Sequence, residues 1–154
     1  MIVEPKIFEG EIAIGQVESA DVAARVQWFI DKYEPLFLRK LLGCRLADIF
    51  MEEYAKPVHD PKWDALADRV RYSIADYVYF YYQIDNETAT VGIGEAVEQA
   101  ENATRTTSKY KAVRAWNEMR EMNLLFIEWM DINIYPEYKP RICDIFSTKN
   151  TFGL

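Results

Sequence analysis

Histidine limits the chemistry open to this chain, because the sequence contains only one, His59. A single histidine excludes zinc sites built on several imidazoles and the paired Glu-x-x-His motifs of di-iron helical bundles. A nucleophile activated by histidine would need a cysteine or serine that meets His59 only through folding, and no local motif indicates such a meeting. We therefore predict that His59 faces solvent on a loop and that the chain has no catalytic site and no metal site.

Carboxylates and glycines are the other residues that could serve a reaction. Paired carboxylates can hydrolyse glycosidic bonds, but Glu52, Glu53 and the acids of residues 95–101 lie in the polar surroundings of a solvated helix face. Gly92 and Gly94 lack the third glycine of a dinucleotide fingerprint and the Gly-Lys-Ser/Thr ending of a phosphate loop. The sequence therefore predicts no cofactor.

The composition is that of one globular domain with an acidic surface. The chain has 154 residues, half of them apolar, and a formal net charge of −7. An acidic protein repels the phosphate backbone, so we expect no specific binding of nucleic acid. The first residues do not resemble a secretory signal, and no apolar run is long enough to span a membrane. Two widely separated cysteines match no disulfide or zinc pattern, so we expect reduced, buried thiols.

Capping residues and helical periodicity predict the elements that position these side chains. Ser19 is placed to cap a first helix, in which Pro35 predicts a kink or a break and Gly43 a C-terminal cap. A shorter amphipathic helix is predicted over residues 45–54.

Two longer helices follow in the sequence. Asp60 followed by Pro61 is the clearest helix start, and it opens a central helix that reaches the aromatic run at residues 77–82. A last helix is predicted to begin near Thr107 or Ser108 and to carry an apolar stripe that includes Trp116.

We therefore predict a mainly α fold, a helical bundle of three to four helices with a small extended or β arm and an extended C-terminal tail. One domain covers residues 1–154. Helical periodicity fails around the glycines of the arm, and prolines interrupt the tail. The parts predicted outside the bundle are the extended N-terminal segment 1–17, the extended arm 84–105 and the C-terminal tail 132–154.

The aromatic end of the central helix needs cover on every side, which one neighbouring helix cannot give. Tyr77, Tyr81 and Trp116 lie on apolar stripes and are predicted to be core residues. Tyr79 and Tyr82 lie on the far side, so we predict that they contact a partner protein.

Basic residues form one cluster, at Arg105, Lys109 and Lys111. Cations in the first turn of a helix oppose its dipole, and an acidic neighbour would remove the conflict. Because the rest of the chain is acidic, a protein contact is favoured over nucleic acid.

Five segments of the sequence carry a resemblance to a known family. They are Tyr33–Gly43, Glu101–Ser108, Ala115–Met119, Tyr135–Tyr138 and Asn150–Leu154. Their more specific parts are the Trp-Asn-Glu-Met and Asn-Thr-Phe-Gly-Leu pieces. Read in order from about Tyr33 onward, they resemble small proteins encoded among the structural genes of tailed phages and prophages of gut Bacteroides-type bacteria.

Such proteins are similar in size and layout to head-tail connector, or adaptor, proteins, which form a ring under the portal. The resemblance implies a virion component, present in host cytoplasm during assembly, that is a homo-oligomer in the virion and can be a monomer alone. Its partners would be the portal protein and tail-side proteins, with DNA passing through without specific binding and no membrane involved. The family has no catalytic residues to transfer.

The candidate contact segments are the arm 84–105 and the end of the tail, residues 150–154. We expect deletion of residues 150–154 to leave the helical domain folded but to abolish assembly on portal. The contact residues of the tail are Asn150, Thr151, Phe152, Gly153 and Leu154. The alternative function is a small regulatory or protein-binding module of the host cell that acts as a monomer or dimer. An enzyme would require His59 or the acidic residues to meet in a deep pocket with strongly shifted pKa values.

Overall fold

The computed structural model describes residues 1–89, 98–134, 138–140 and 143–151, with side chains to residue 86 and again from residue 108. Over these residues the chain forms a mainly helical bundle, as predicted, and contains no β-strand. Short 3-10 turns in this described part of the chain cover Pro5–Ile7, Gly10–Ile12 and Asp144–Phe146. The helices described are α1 (Ala20–Leu42), α2 (Cys44–Tyr54), α3 (Pro61–Ala89) and α4 (Glu98–Asn133).

The predicted caps of α1 are confirmed. The Ser19 hydroxyl accepts a hydrogen bond from the Val22 backbone N–H at 3.4 Å. At the other end the Gly43 N–H donates to the Arg39 carbonyl at 3.1 Å, and Gly43 has a φ of 78°. A side chain is strained at that φ, so glycine ends α1 and lets α2 start one residue later.

Pro35 neither ends nor interrupts α1, although the sequence allowed a break there. Ile30 and Phe37, on either side of the proline, are fully buried. Their packing holds both halves of the helix in place and outweighs the hydrogen bond that proline removes.

The predicted start of α3 is confirmed. The Asp60 carboxylate accepts a hydrogen bond from the Lys62 N–H at 2.9 Å, and Pro61 occupies the first helical position, where its missing N–H costs nothing.

The extended arm predicted over 84–105 is wrong where the structure describes it. α3 continues to Ala89 and α4 already begins at Glu98, well before Thr107. Residues 90–97, including Gly92 and Gly94, lie outside the described part of the chain. The first turns of α4 are polar and rich in Glu, Gln, Ala and Arg, which favour helix without producing an apolar stripe. Propagation from the packed half of α4 extends the helix through them.

The N-terminal segment, here residues 1–14, is also not extended, because it contains two 3-10 turns. The turns direct apolar side chains into one core. These side chains are irregularly spaced in the sequence, so neither helical nor strand periodicity predicts their burial. The buried residues of this segment are Ile2, Val3, Phe8, Ile12 and Ile14.

The aromatic end of α3 is covered from two sides within the chain. From α1, Tyr33 stacks on Tyr81 with ring centroids 4.3 Å apart. From α4, Trp116 lies 4.7 Å from the ring of Phe80. α3 is therefore the central helix, packed against both α1 and α4.

Candidate functional site

The C-terminal segment, residues 143–151, lies against α4 and is held there through its backbone. The Trp116 indole N–H donates to the Ser147 carbonyl at 2.8 Å, and the Asn117 amide donates to the Lys149 carbonyl at 3.1 Å. The Asn117 side-chain oxygen also accepts from the Lys149 N–H at 3.0 Å. Residue 117 thus pairs with the backbone of residue 149 in both directions.

Two further α4 side chains continue the series toward the helix C-terminus. The Arg120 guanidinium donates to the Phe146 carbonyl at 3.0 Å, and the Asn123 amide donates to the Ile145 carbonyl at 3.1 Å. From Asn117 through Arg120 to Asn123 the numbers of the bound carbonyls fall from 149 through 146 to 145, so the segment runs antiparallel to α4. We call the four donors, Trp116, Asn117, Arg120 and Asn123, the donor row.

Side-chain contacts fix the register of the segment on the donor row. Ile145 is fully buried. The Asp144 carboxylate lies 2.7 Å from the Lys40 ammonium, which joins the segment to α1. The Lys149 ammonium lies 4.6 Å from the Trp116 ring centroid, a cation–π contact over the same ring that binds Ser147. The segment is therefore part of the fold from Cys143 to Lys149.

This attachment corrects the prediction of an extended tail. The tail 132–154 is not wholly extended, since α4 runs to Asn133 and a 3-10 turn covers Asp144–Phe146. The deletion that we predict to spare the fold, Asn150–Leu154, begins after the buried Ile145 and stays a prediction. A deletion that spares the fold must begin after Lys149.

Asn150 and Thr151 follow the attached part and border an open groove of about 500 Å³. Tyr110 and Val113 of α4 line the same groove, and 63% of Tyr110 is exposed. Arg114, Asn117, Glu118 and Glu121 complete its walls.

The predicted contact residues have different outcomes. Tyr79 and Tyr82 are buried, with 1% and 7% exposure, so their prediction as a partner contact is wrong: α1 and α4 supply the cover that was assigned to another protein. Burial raises the pKa of the Tyr79 phenol. Lys109, Lys111 and Thr151 are exposed, as a contact requires, and so is Asn150. The side chain of Arg105 and residues Phe152, Gly153 and Leu154 lie outside the described part.

At the other end of the chain, a buried carboxylate holds the backbone of the N-terminal segment. Glu34 of α1, only 7% exposed, accepts from the Ile2 N–H at 3.1 Å and from the Val3 N–H at 3.0 Å. Burial raises the pKa of Glu34, and the two backbone hydrogen bonds oppose that rise because they stabilise the charged form.

Asp76 is a second buried carboxyl, placed where the N-terminal segment meets α4. Its pKa is raised to about 8, chiefly by burial and also by the Glu118 charge, while Arg114 opposes the rise. The Arg114 guanidinium donates to the Glu11 carbonyl at 3.0 Å and lies 3.6 Å from the Glu118 carboxylate. Asp76 is therefore largely protonated at neutral pH.

His59 lies on the loop between α2 and α3, as predicted, but its side chain is only partly exposed. Its Nδ1 is 2.8 Å from the Lys56 carbonyl and its Nε2 is 2.9 Å from the Asp64 carboxylate. The hydrogen bond to Asp64 is the main cause of a raised His59 pKa. His59 and Asp76 have different neighbours, so the histidine and the perturbed acid do not form one site.

The cysteines, the possible metal ligands and the length of the helices can be compared with what the sequence predicted. Cys44 is exposed, so the expectation of a buried thiol is wrong for it, and Cys143 is partly buried. The described residues contain no group of three or more histidine, cysteine or acidic side chains placed to hold a metal ion. None of the helices described is both long and apolar enough to cross a membrane.

Sequence reasoning missed the donor row. Asn123 was an indication of it, because this residue lies on the apolar stripe of α4. A buried amide needs a hydrogen-bond partner, so its position predicts that another segment binds there. That partner, the Ile145 carbonyl, lies 22 residues away in the chain and could not be identified from spacing.

Comparison with protein-family models, curated proteins and solved structures finds no match for this chain.

Proposed function

We propose that this chain is a non-enzymatic virion subunit, a head-tail connector of a tailed phage that assembles as a ring between portal and tail. The observation that carries the proposal is the attachment of the C-terminal segment to α4. It presents Asn150 and Thr151 beside Tyr110 in one groove, and Lys109 and Lys111 flank Tyr110 in sequence. Four of the predicted contact residues therefore belong to one region of the surface.

The same attachment links the two most specific motifs of the resemblance. Trp116 and Asn117, in the Ala115–Met119 piece, bind the backbone of Ser147 and Lys149. Those residues directly precede the Asn150–Leu154 piece. A subunit that presents its last residues to a partner needs such a fixed exit point, because an ordered segment loses less entropy on binding than a free one.

The non-enzymatic part of the proposal draws support from the distribution of reactive groups. The perturbed carboxyl of Asp76 interacts with Arg114, whereas His59 is held by Lys56 and Asp64. General acid–base chemistry needs such groups within reach of one substrate atom. Each has instead a structural role in its own part of the fold.

The acidic balance of the chain is consistent with a DNA conduit. A net charge of −7 repels phosphates, which lets DNA slide past a ring without being held. The partners in this proposal are the portal protein, tail-side proteins and further copies of the chain.

The test is assembly on portal protein from the same genome, observed by electron microscopy. We expect the full chain to add a ring of density to the portal. A chain ending at Lys149, which keeps Ile145 and the donor-row bonds, should melt at the same temperature but add no ring. A Val58→Ser variant, altered on an exposed loop residue outside the groove, is the control and should assemble normally.

One result would overturn the proposal: a full chain that stays off the portal and sediments as a monomer or dimer, which would favour the binding-module alternative. Ring formation by the chain ending at Lys149 would overturn the assignment of the C-terminal residues to the contact.

A further inference from the structure

The N-terminal turn Gly10–Ile12 lies against both α3 and α4, beside a buried carboxyl group. That carboxyl belongs to Asp76 of α3, which is only 6% exposed. The charged groups that act on it are Arg114 and Glu118 of α4 and Glu11 of the turn. These four residues, the acid junction, come from three parts of the chain and meet where the turn joins the two helices.

Arg114 links the turn to the bundle. Its guanidinium donates to the Glu11 carbonyl at 3.0 Å and lies 3.7 Å from the Glu11 carboxylate. The Glu118 carboxylate is 3.6 Å from the Arg114 Nε, which is too long for a hydrogen bond. That Nε is buried and has no hydrogen-bond partner among the described residues. Arg114 therefore has one N–H group left to bind a further carboxylate.

The acid junction contains three carboxyl groups and one cation. The Glu11 and Glu118 side chains are 69% and 43% exposed, so water stabilises their charges. Asp76 has little contact with water, and a buried charge is costly unless it is paired. Because Glu11 and Glu118 already share the guanidinium of Arg114, the buried carboxyl keeps its proton. Its pKa of about 8 agrees with this count of charges.

Loss of the Asp76 proton changes the contacts of the junction. An ionised Asp76 adds a third negative charge beside Glu11 and Glu118, and it attracts the Nε–H of Arg114 away from the turn. Detachment of the turn lets water reach the new carboxylate, which removes the cost of burying it. Both changes favour a turn that has left the two helices.

We propose that the turn Gly10–Ile12 is a pH-sensitive clasp, closed while Asp76 is protonated and open when Asp76 is ionised. In the closed clasp the neighbouring Ile14 is buried and Arg114 holds the Glu11 carbonyl. In the open clasp the turn leaves α3 and α4, and the Asp76 carboxylate is hydrated. All the groups belong to one chain, so the clasp does not depend on the proposed function.

Proton linkage gives the direction of the pH effect. Between the ordinary pKa of 3.8 and about 8, the closed clasp keeps a proton on Asp76 that the open clasp has lost. Opening therefore becomes more favourable as pH rises through that window, by up to about tenfold per pH unit, and levels off above it. Glu34 binds Ile2 and Val3 rather than the turn, so its own response to pH belongs to those two amides.

The experiment is amide hydrogen exchange of the full chain from pH 6 to pH 8, with each rate divided by the intrinsic rate at that pH. The reporters are the Ala13 N–H, bound to the Gly10 carbonyl, and the Ile14 N–H, bound to the Phe8 carbonyl. We expect their opening constant to rise at least about tenfold over this range. They should also be at least about tenfold less protected than the amide of Met119, buried in α4, because the clasp opens without the bundle.

Two substitutions in the acid junction test its two parts. Asp76→Asn cannot ionise, so its opening constant should stay within about twofold from pH 6 to pH 8. Arg114→Gln removes the bond to Glu11, so the reporters should open more at pH 6. Since Arg114 opposes the raised pKa of Asp76, its loss should also move the rise in opening to higher pH. Glu121→Gln, at an exposed acid of α4, is the matched control and should follow the wild type.

Three outcomes would refute the clasp. One is a wild-type chain whose reporters show no rise with pH. Another is an Asp76→Asn variant that keeps the rise, which would assign it to a different group. The third is equal protection of the reporters and Met119, which would mean that the turn opens only when the whole bundle unfolds. Circular dichroism melting establishes that each variant is folded.

Discussion

The two ends of the chain attach to the helical bundle by opposite chemistry. At the start of the N-terminal segment the backbone donates, since the N–H groups of Ile2 and Val3 bind the Glu34 carboxylate. Farther along, the Glu11 carbonyl accepts one bond from Arg114. In the C-terminal segment the backbone mostly accepts, since the carbonyls of four residues bind the donor row of α4. An acid therefore serves one end, and amide, indole and guanidinium groups serve the other.

The difference predicts that the two attachments respond differently to a change in pH. The donor row has no side chain that titrates between about pH 3 and 10, because Trp and Asn are neutral and Arg stays protonated. Glu34 titrates, and burial raises its pKa. Attachment of the N-terminal segment should therefore change with pH, while the donor-row bonds to the C-terminal segment should not.

The largest effect is expected from a substitution that breaks only the C-terminal attachment. Trp116→Ala removes a fully buried ring that contacts Phe80, binds Ser147 and lies under Lys149. We expect the free energy of unfolding to fall by about 4 kcal/mol, as for other large aromatic truncations. Denaturant unfolding measures this loss, and hydrogen exchange should show that Ser147 and Lys149 lose protection while Ile2 and Val3 keep theirs.

Trp116→Phe is the matched control for that change. It keeps most of the ring contacts and removes only the indole N–H, so the cost should be about 1 kcal/mol. If both variants exposed the N-terminal amides equally, the two attachments would form one cooperative unit and the comparison would not hold.

A smaller effect is expected at Asp76, which lies where the N-terminal segment meets α4. Its pKa is about 8 in the folded chain, against an ordinary value of 3.8. Between pH 3.8 and about 8, the folded state therefore keeps a proton on Asp76 that the unfolded state has lost. The free energy of unfolding should therefore fall as pH rises through that window, which follows from proton linkage. Asp76→Asn removes this dependence and should be more stable than the wild type by about 3 kcal/mol at pH 8.

Thermal melts of both proteins from pH 4 to 9 measure the effect. The melting temperatures should diverge as pH rises and come closest at the acidic end. Parallel curves would mean that Asp76 titrates normally. Glu121→Gln, at an exposed acid of α4, is the control and should leave the pH dependence unchanged.

The smallest effect concerns Glu34 and tests the pH contrast directly. The raised pKa means that its contribution to stability is greatest below its ordinary pKa of 4.5 and declines as pH rises through its higher folded value. Glu34→Gln removes that decline but turns an amide NH2 toward the Ile2 and Val3 N–H groups. At neutral pH it should cost about 1 kcal/mol.

Amide hydrogen exchange locates this loss in the chain. Protection should fall at Ile2 and Val3 and stay unchanged from Ile145 to Lys149. A fall at the C-terminal amides as well would show that Glu34 acts on the whole bundle.

The sequence by itself determined the fold class and three helix ends. Ser19, Gly43 and Asp60 act through bonds to residues within four positions, so their roles follow from local chemistry. Apolar spacing likewise identified Tyr77 and Trp116 as core residues, because a helix turns apolar residues at that spacing to one side.

Tertiary structure decided everything that depended on a distant partner. Tyr79 and Tyr82 are buried because α1 and α4 close around α3, and periodicity along α3 alone gives no count of its neighbours. Asn123 binds residue 145, and Glu34 binds residues 2 and 3, across separations that no local rule spans. These long-range bonds join both chain ends to the bundle, and they place Asn150 and Thr151 beside the groove of α4.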